Sequence, residues 1–188
     1  MLLVTGALTL QFVLTKITPE NCISHNDIIQ QTFKSIDLSP YIFTLTYTPL
    51  LAFVIINRKK LDLIFIFVFC YGLLLYLRSI TIYIIPLCEP DDAIRLNDPF
   101  LNTFFYPNGY SPYDLFFSGH VATVFIAFLL LKKKIKYLFL FNSIILGALV
   151  CIQKTHYTID VLGAFPFAFI CYKIGIRFLT YSKTKINL

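Results

Sequence analysis

The chain has 188 residues, of which 57% are hydrophobic and 14% are charged, and its mean hydropathy is +0.74. This composition excludes an ordinary soluble globule and indicates a protein whose natural solvent is a bilayer. The formal net charge of +6 comes from basic residues in short clusters between apolar runs, whereas binding to nucleic acid needs them gathered on one solvated face. We therefore expect an integral membrane protein that binds no nucleic acid.

Six apolar segments follow one another along the chain, each with about the 17 to 25 residues that a helix needs to cross a hydrocarbon core. They lie at roughly 1–17, 41–57, 61–85, 115–131, 137–153 and 157–178. Because these runs are apolar on every face, helices are expected and a transmembrane barrel is not. The sequence predicts an all-α, polytopic membrane helical bundle of about six transmembrane helices, forming a single domain over 1–188. The first segment could instead be a signal sequence, whose cleavage would leave five spans.

The basic clusters fall in alternate loops, as expected if they stay on the cytoplasmic side. They follow the second, fourth and sixth apolar segments: Arg58, Lys59, Lys60, Lys132, Lys133, Lys134, Lys136, Lys173, Arg177, Lys183 and Lys185. We therefore expect both termini in the cytoplasm, and the loops at 18–40, 88–114 and 153–156 on the extracellular or lumenal face. The first of these loops is expected to be solvated.

The chain has five cysteines and no C-x-x-C pair, so a zinc or redox motif is not supported. Only Cys22 and Cys88 lie in candidate loops, both on the expected outer side. They could form a disulfide if that compartment is oxidising.

The stretch HYTIDVLGAF at 156–165 contains the first candidate site residues. If the sixth segment is helical from its start, His156 and Asp160 lie on one face, about a turn apart. A carboxylate that accepts a hydrogen bond from one ring nitrogen fixes the tautomer and leaves the other nitrogen available as a nucleophile or base. The pair also suits a structural role, in which Asp160 favours the helix start and Thr155 caps it. Both interpretations stay open.

The stretch SGH at 118–120 predicts a helix start that can bind an anion. Ser118 suits the N-cap position, Gly119 lets a ligand approach the backbone, and the first amides of the helix point outward. His120 would then stand beside a bound phosphate as a proton donor. A plain helix cap followed by an interfacial histidine is the alternative.

Arg78 interrupts the apolar stretch LLLYLRSITIYIIPL. Burying a guanidinium there without a partner is unfavourable by several kcal/mol, so we expect a carboxylate or a phosphate near it unless the side chain snorkels to the interface. The acids of the next loop could bind a divalent metal, but their irregular spacing favours a solvated acidic face. These acids are Glu89, Asp91, Asp92 and Asp98.

These residue types suit displacement at phosphorus, which needs an attacking group, neutralisation of the non-bridging oxygens and a proton for the leaving oxygen. His156, held by Asp160, would attack. Arg78 and the amides at 118–120 would hold the phosphate oxygens, and His120 would protonate the departing alkoxide. A water acceptor for the resulting phosphohistidine gives a phosphatase, and a lipid alcohol gives a transferase.

Three stretches of the chain resemble the sphingomyelin synthase-like branch of the type 2 phosphatidic acid phosphatase superfamily. The pattern D-x-x-x-S-G-H of that branch corresponds to Asp114, Ser118, Gly119 and His120. Its pattern H-Y-T-x-D-V corresponds to His156, Tyr157, Thr158, Asp160 and Val161. Its arginine-containing third span corresponds to Arg78, Thr81, Tyr83, Leu87 and Pro90. The resemblance covers about residues 60 to 175.

The resemblance implies six spans, an active site on the lumenal or extracellular face, and neither a metal nor a cofactor. The chain lacks the K-x6-R-P motif of the phosphatase branch, and Leu149 and Val150 stand where that branch has Ser-Arg. We therefore expect a membrane enzyme that moves a phospho-head group from a phospholipid to a lipid alcohol. A lipid phosphate phosphatase with water as acceptor is one alternative, and a non-catalytic membrane lipid-binding protein is another.

Overall fold

A computed structural model describes residues 1–99 and 111–186, and within these ranges the fold is built from helices without a β-strand. The six α-helices are α1 (Leu2–Leu14), α2 (Ser39–Asn57), α3 (Leu61–Ile84), α4 (Gly119–Leu130), α5 (Lys136–Ile152) and α6 (Thr158–Ile186). A short 3₁₀ helix lies at Gln30–Thr32. The prediction of an all-α membrane bundle is confirmed.

The helices differ in length, and three of those described are long and apolar enough to cross a membrane. These are α2, α3 and the part Thr158–Tyr181 of α6. The other three have 13 residues in α1, 12 in α4 and 17 in α5. At 1.5 Å per residue, α4 is only about 18 Å long, which is short of a hydrocarbon core of about 30 Å. The fourth predicted segment therefore contains a helix shorter than a full span.

Helix α4 lies at the centre of the bundle, where it packs against α2, α3, α5 and α6. Its side chains are buried on several faces, including Val121, Ala122, Val124, Ile126 and Ala127. A helix that is apolar all round is expected in such a position. The short helix α4 is thus enclosed by other helices rather than exposed to lipid.

Helix α1 packs along α3 at a pair of glycines. A Cβ atom added to Gly6 would lie 3.1 Å from the carbonyl oxygen of Gly72, and one added to Gly72 would lie 3.1 Å from Cγ of Leu2. The absence of side chains at both positions lets the two backbones approach closely. Helix α1 is in this way an integral part of the described bundle.

The connecting segments predicted to lie outside the membrane meet at one end of the bundle. Cys22 and Cys88 form a disulfide with their Cα atoms 5.1 Å apart, which confirms the predicted pairing. An isolated parallel bridge joins the neighbouring Ile23 and Leu87. The amide of Ile94 donates to the carbonyl oxygen of Gln153 at 3.1 Å. Residues 100–110 of the predicted outer loop lie outside the described residues, and the side of the membrane on which this end lies stays a prediction.

The first of these segments is less solvated than the sequence indicates. Asp27 and Gln30 are 9% and 4% exposed, because both side chains bond to the backbone where α6 begins. Only the residues around them are exposed, such as Ile28 and Ile29. This polar segment is therefore packed against the start of α6.

Candidate active site

A cavity of about 580 Å³ lies among α1 to α4 and the segment that precedes α6. Its charged lining and the first residue of α4 lie together: Arg78, Asp98, Asp114, Gly119, His120 and His156. Further polar side chains come from the middle of α2, among them Thr46, Tyr47 and Thr48. Its apolar lining comes mainly from the middle of α2 and α3, with Leu50, Val54 and Phe67 among the residues. Four of the six predicted site residues line this cavity, while Asp160 and Ser118 lie buried behind its wall.

His156 and Asp160 lie together, although not in the way that the spacing alone predicts. Helix α6 begins at Thr158, so His156 belongs to the turn before the helix rather than to its first turn. Its Nδ1 lies 3.5 Å from Oδ2 of Asp160, and Asp160 is fully buried. Within the described residues Nδ1 makes no hydrogen bond that meets normal geometry, so only a small rotation of the ring separates the pair from one. Such contacts often shorten when substrate binds.

Asp160 also serves the start of its own helix. Its Oδ2 accepts a hydrogen bond from the amide of Tyr157 at 3.0 Å, which is a favourable contact for a carboxylate at a helix N-terminus. Thr155 is not the cap, because its hydroxyl donates to the carbonyl oxygen of Val150 at 3.2 Å. The structural and the functional interpretations of the His–Asp pair are therefore compatible, since one carboxylate takes part in both.

His120 has a buried carboxylate of its own, which the sequence did not assign. Its Nε2 lies 3.3 Å from Oδ2 of Asp98, and the hydroxyl of Tyr47 donates to the same oxygen at 2.9 Å. Asp98 is only 2% exposed, so its place in a solvated acidic face was predicted wrongly. Asp91 and Asp92 are exposed, as expected.

The segment that carries Asp98 is fixed by Gln153, which is fully buried. The side-chain amide of Gln153 donates to Oγ of Ser39 at 3.0 Å and to the carbonyl oxygen of Ile94 at 3.2 Å. The amide of Asn97 in turn donates to Oγ of Ser39 at 3.3 Å. These bonds tie the residues before Asp98 to the first turn of α2 and to the turn before His156.

Arg78 is 4% exposed and forms an ion pair with Asp114 through Nη2, which also donates to the Asp114 carbonyl oxygen at 3.3 Å. The expectation of a carboxylate near this guanidinium is confirmed, and burial this deep excludes snorkelling to the interface. The guanidinium carbon lies 5.7 Å from the centroid of the Phe117 ring. A Cβ atom added to Gly119 would lie 3.4 Å from Nη1 of Arg78. The first residue of α4 therefore lies against the guanidinium.

Ser118 stands at the N-cap of α4 with extended backbone, but its side chain makes no capping hydrogen bond. Its amide donates to the carbonyl oxygen of Asp160 at 3.1 Å. One of the amides that the sequence assigned to phosphate is therefore bonded to α6 instead. Gly119 and His120 are the first helical residues, whose amides have no acceptor within the helix. Free amides at a helix start favour an anion, so these two remain of the set that the sequence assigned to phosphate.

Nothing in the sequence pattern distinguished Tyr47, Asp98 or Gln153 as parts of this site. The acids of the loop do not gather into a group of metal-ligand size among the residues that the structure describes, and Asp98 is directed to His120 instead. Its separation from Glu89, Asp91 and Asp92 by the stretch AIRLN at 93–97 is the sequence signal that could have indicated a different role.

One comparison with known proteins bears on this site. Residues 113–176 match the family model described as PAP2 superfamily C-terminal. The match begins just before Asp114 and includes both histidines and Asp160. No curated protein and no solved structure matches the chain. The segment that carries both histidines is therefore similar to the C-terminal part of the PAP2 superfamily, and this similarity supports the type 2 phosphatidic acid phosphatase superfamily for this protein without singling out a branch.

Proposed function

We propose that this protein is a membrane-embedded lipid phosphotransferase that moves a phospho-head group from a phospholipid to a lipid alcohol, in the manner of sphingomyelin synthase. The superfamily similarity supports an activity of the lipid phosphatase or phosphotransferase type. The observation that carries the proposal is the meeting of two histidines, each beside a buried carboxylate, with Arg78 at one cavity. These groups supply the nucleophile, the general acid and the positive charge that displacement at phosphorus uses.

In the first half-reaction, Nε2 of His156 attacks phosphorus while Asp160 holds the Nδ1 side of the ring. The bond from phosphorus to the glycerol oxygen breaks, and His120 gives a proton to that oxygen, so a diacylglycerol leaves. Because Asp98 lies against Nε2 of His120, the proton that is transferred comes from Nδ1. The positive charge of Arg78 and the amides of Gly119 and His120 stabilise the charge on the non-bridging oxygens.

In the second half-reaction, the hydroxyl of the acceptor attacks the phosphohistidine. His120, now neutral, takes the hydroxyl proton, and the bond between phosphorus and His156 breaks. Both histidines return to their starting protonation states, so the cycle closes without a net proton change. A lipid alcohol as acceptor yields a new phospholipid, whereas water yields a free phosphate ester and makes the enzyme a phosphatase.

The apolar part of the cavity supports lipid substrates. Leu51 and Val54 of α2 line the cavity and are 61% and 42% exposed. An apolar wall with exposed side chains suits a molecule with an acyl chain. The same wall restricts water, which favours the lipid alcohol over the water acceptor.

The deciding experiment uses the purified full chain in bilayers with head-group-labelled phosphatidylcholine, phosphatidylethanolamine or phosphatidate, with and without ceramide. The proposal expects label to appear in a second lipid only when the lipid alcohol is present. Label released into water would establish the phosphatase alternative in its place. His156→Ala should insert in the membrane as the wild type does and show no turnover.

A non-catalytic lipid-binding protein would leave the label where it started in every one of these mixtures. A second observation separates this outcome from a wrong choice of acceptor. Brief incubation with phosphate-labelled donor in the absence of acceptor should give a labelled protein whose bond is stable to alkali and labile to acid, as expected of phosphohistidine. His156→Ala must lack this label if His156 is the nucleophile.

A further inference from the structure

The turn that carries His156 is held by a segment far away in the chain. Residues 22 and 23 are anchored to the end of α3 by the Cys22–Cys88 disulfide and by backbone bonds, in which the Ile23 amide donates to Pro86 at 2.6 Å and the Cys88 amide to Ile23 at 3.0 Å. A few residues later the segment reaches the start of α6. Its residues 27–30 lie over the turn that contains His156.

Asp27 acts as an N-cap for α6 from a distance of 131 residues in sequence. Its Oδ2 accepts a hydrogen bond from the amide of Thr158, the first residue of α6, at 2.6 Å. Its Oδ1 accepts from the amides of Ile29 and Gln30 at 3.1 and 3.3 Å. Partial burial raises the pKa of Asp27, but the hydrogen bonds from Thr158, Gln30 and Ile29 outweigh this effect and hold the pKa below 3.8. The cap is therefore an anion at neutral pH, which a helix N-terminus favours.

Gln30 holds the backbone of His156 directly. Its Nε2 donates to the carbonyl oxygen of His156 at 2.6 Å and to that of Cys151 at 3.3 Å. The His156 carbonyl lies before α6 and accepts no hydrogen bond from a helical amide. Without Gln30, this buried oxygen would therefore lose its donor. Leaving such a group unsatisfied is unfavourable, so the turn would be expected to move to regain a partner.

Tyr157 completes the connection between the turn and the disulfide. Its hydroxyl donates to the carbonyl oxygen of Cys88 at 3.0 Å, and its ring meets the ring of His25 edge-on with centroids 5.0 Å apart. Burial raises the pKa of Tyr157 to about 12, so the phenol keeps the proton that it donates. Residues 156, 157 and 158 are thus each bonded to the disulfide-linked end of the bundle.

We propose that Asp27 and Gln30 are positioning residues for His156, and that the Cys22–Cys88 disulfide keeps them in place. The inference rests on the proposed function, since it concerns the nucleophile of that reaction. Neither side chain lines the cavity, so both act through the backbone of the turn. Displacing an attacking atom by about 1 Å can cost roughly a hundredfold in rate, whereas the phosphate-holding groups on α3 and α4 would stay where they are. The expected signature is a lower kcat with a KM that hardly changes.

The adjacent glutamine provides a matched control for the test. Gln30 is buried, whereas Gln31 is exposed and its side-chain amide donates to Oδ1 of Asn26. We expect Gln30→Met to lower kcat roughly 10- to 100-fold, because a shift of the nucleophile is amplified in the rate. KM should change less than about twofold, since the substitution does not alter the groups that bind the phosphate. Gln31→Met should match the wild type in both constants.

Substitutions of Asp27 should give graded losses of kcat, which a merely structural role would not produce. Asp27→Asn keeps an oxygen that can accept from Thr158 and should retain more kcat than Asp27→Ala. Thermal unfolding is measured on every variant, and rates are expressed per folded protein. Equal kcat for Gln30→Met and Gln31→Met, or losses that disappear after this correction, would overturn the proposal.

Reduction tests the disulfide without a substitution. A dithiol such as dithiothreitol converts the disulfide to two thiols and is itself oxidised to a cyclic disulfide. Wild-type kcat should fall to the level of the Cys22→Ser/Cys88→Ser double variant, which should not respond to the reductant. A wild type that keeps full kcat after both thiols are shown to be free would refute this part. Failure of the proposed function is distinguished from all of these results, because the unmodified wild type would then turn over no lipid at all.

Discussion

The contact between Asp98 and His120 yields a quantitative prediction about the acid and base of the reaction. Asp98→Asn removes one negative charge and keeps the shape of the side chain. The two groups lie 3.3 Å apart, and the hydroxyl of Tyr47 donates to the same carboxylate oxygen at 2.9 Å. A hydrogen bond to a charged group contributes about 1.5–3 kcal/mol, and since 3.3 Å is long for such a bond the lower part of that range applies. A loss of about 1.5–2 kcal/mol lowers kcat roughly 10- to 30-fold.

The assay is the rate of head-group transfer at saturating and limiting lipid, so that kcat and KM are obtained separately. KM should stay near the wild-type value, because Asp98 supports a proton transfer and does not hold phosphate. Tyr47→Phe removes a hydrogen bond to the same carboxylate but reaches His120 only through Asp98, so it should lower kcat less than Asp98→Asn does. Asp92→Asn is the matched control, since Asp92 is exposed and does not line the cavity. Wild-type kcat in Asp98→Asn, or an equal loss in Asp92→Asn, would refute the reasoning.

Three further substitutions test the phosphate site and the packing behind it. Gly119→Ala should fold normally, since the new Cβ would lie 3.4 Å from Nη1 of Arg78, but its methyl group would occupy the space for phosphate and raise KM roughly tenfold or more. Ser118→Ala should leave KM within about twofold of the wild type, because the hydroxyl lies outside the cavity lining; a large rise in KM would restore a phosphate-binding role for this hydroxyl. Gly147→Ala would place a Cβ 2.6 Å from Cγ1 of Val161. Denaturant unfolding in detergent should show that the free energy of unfolding falls by about 1–3 kcal/mol. The protein that remains folded should keep the wild-type kcat.

Local features of the fold and of the site were predictable from sequence because their causes are local. Apolar runs require helices in a bilayer whatever their neighbours are, and a guanidinium within such a run requires a carboxylate or a phosphate. The four-residue spacing of His156 and Asp160 brought them together even though α6 begins at Thr158 rather than before His156. The chain reversal before the helix places the ring and the carboxylate close to each other, as a shared helical face would have done.

The contacts that the sequence did not reveal join residues far apart in the chain. Asp98 and His120 are 22 positions apart, and Gln30 and His156 are 126 apart. No periodicity of 2 or 3.6 residues relates such partners, so hydropathy and spacing carry no information about them. The start of α4 has a local signal instead. The apolar segment begins at residue 115, but the SGH stretch predicted a helix start with Ser118 at the N-cap, and α4 does begin at Gly119.

The two histidines differ in where their carboxylates come from, and the difference fits the two roles proposed for them. Asp160 belongs to the helix that follows His156, and its Oδ2 also binds the amide of Tyr157, so ring and carboxylate move as one unit. A nucleophile needs this arrangement, since one nitrogen must face phosphorus when the bond forms and again when it breaks. Asp98 reaches His120 from a separate segment that Gln153 and Ser39 hold in place. An acid that must serve the leaving oxygen and later the acceptor oxygen needs its charge stabilised while its other nitrogen remains directed at the cavity, and a carboxylate that approaches from outside the helix meets both requirements.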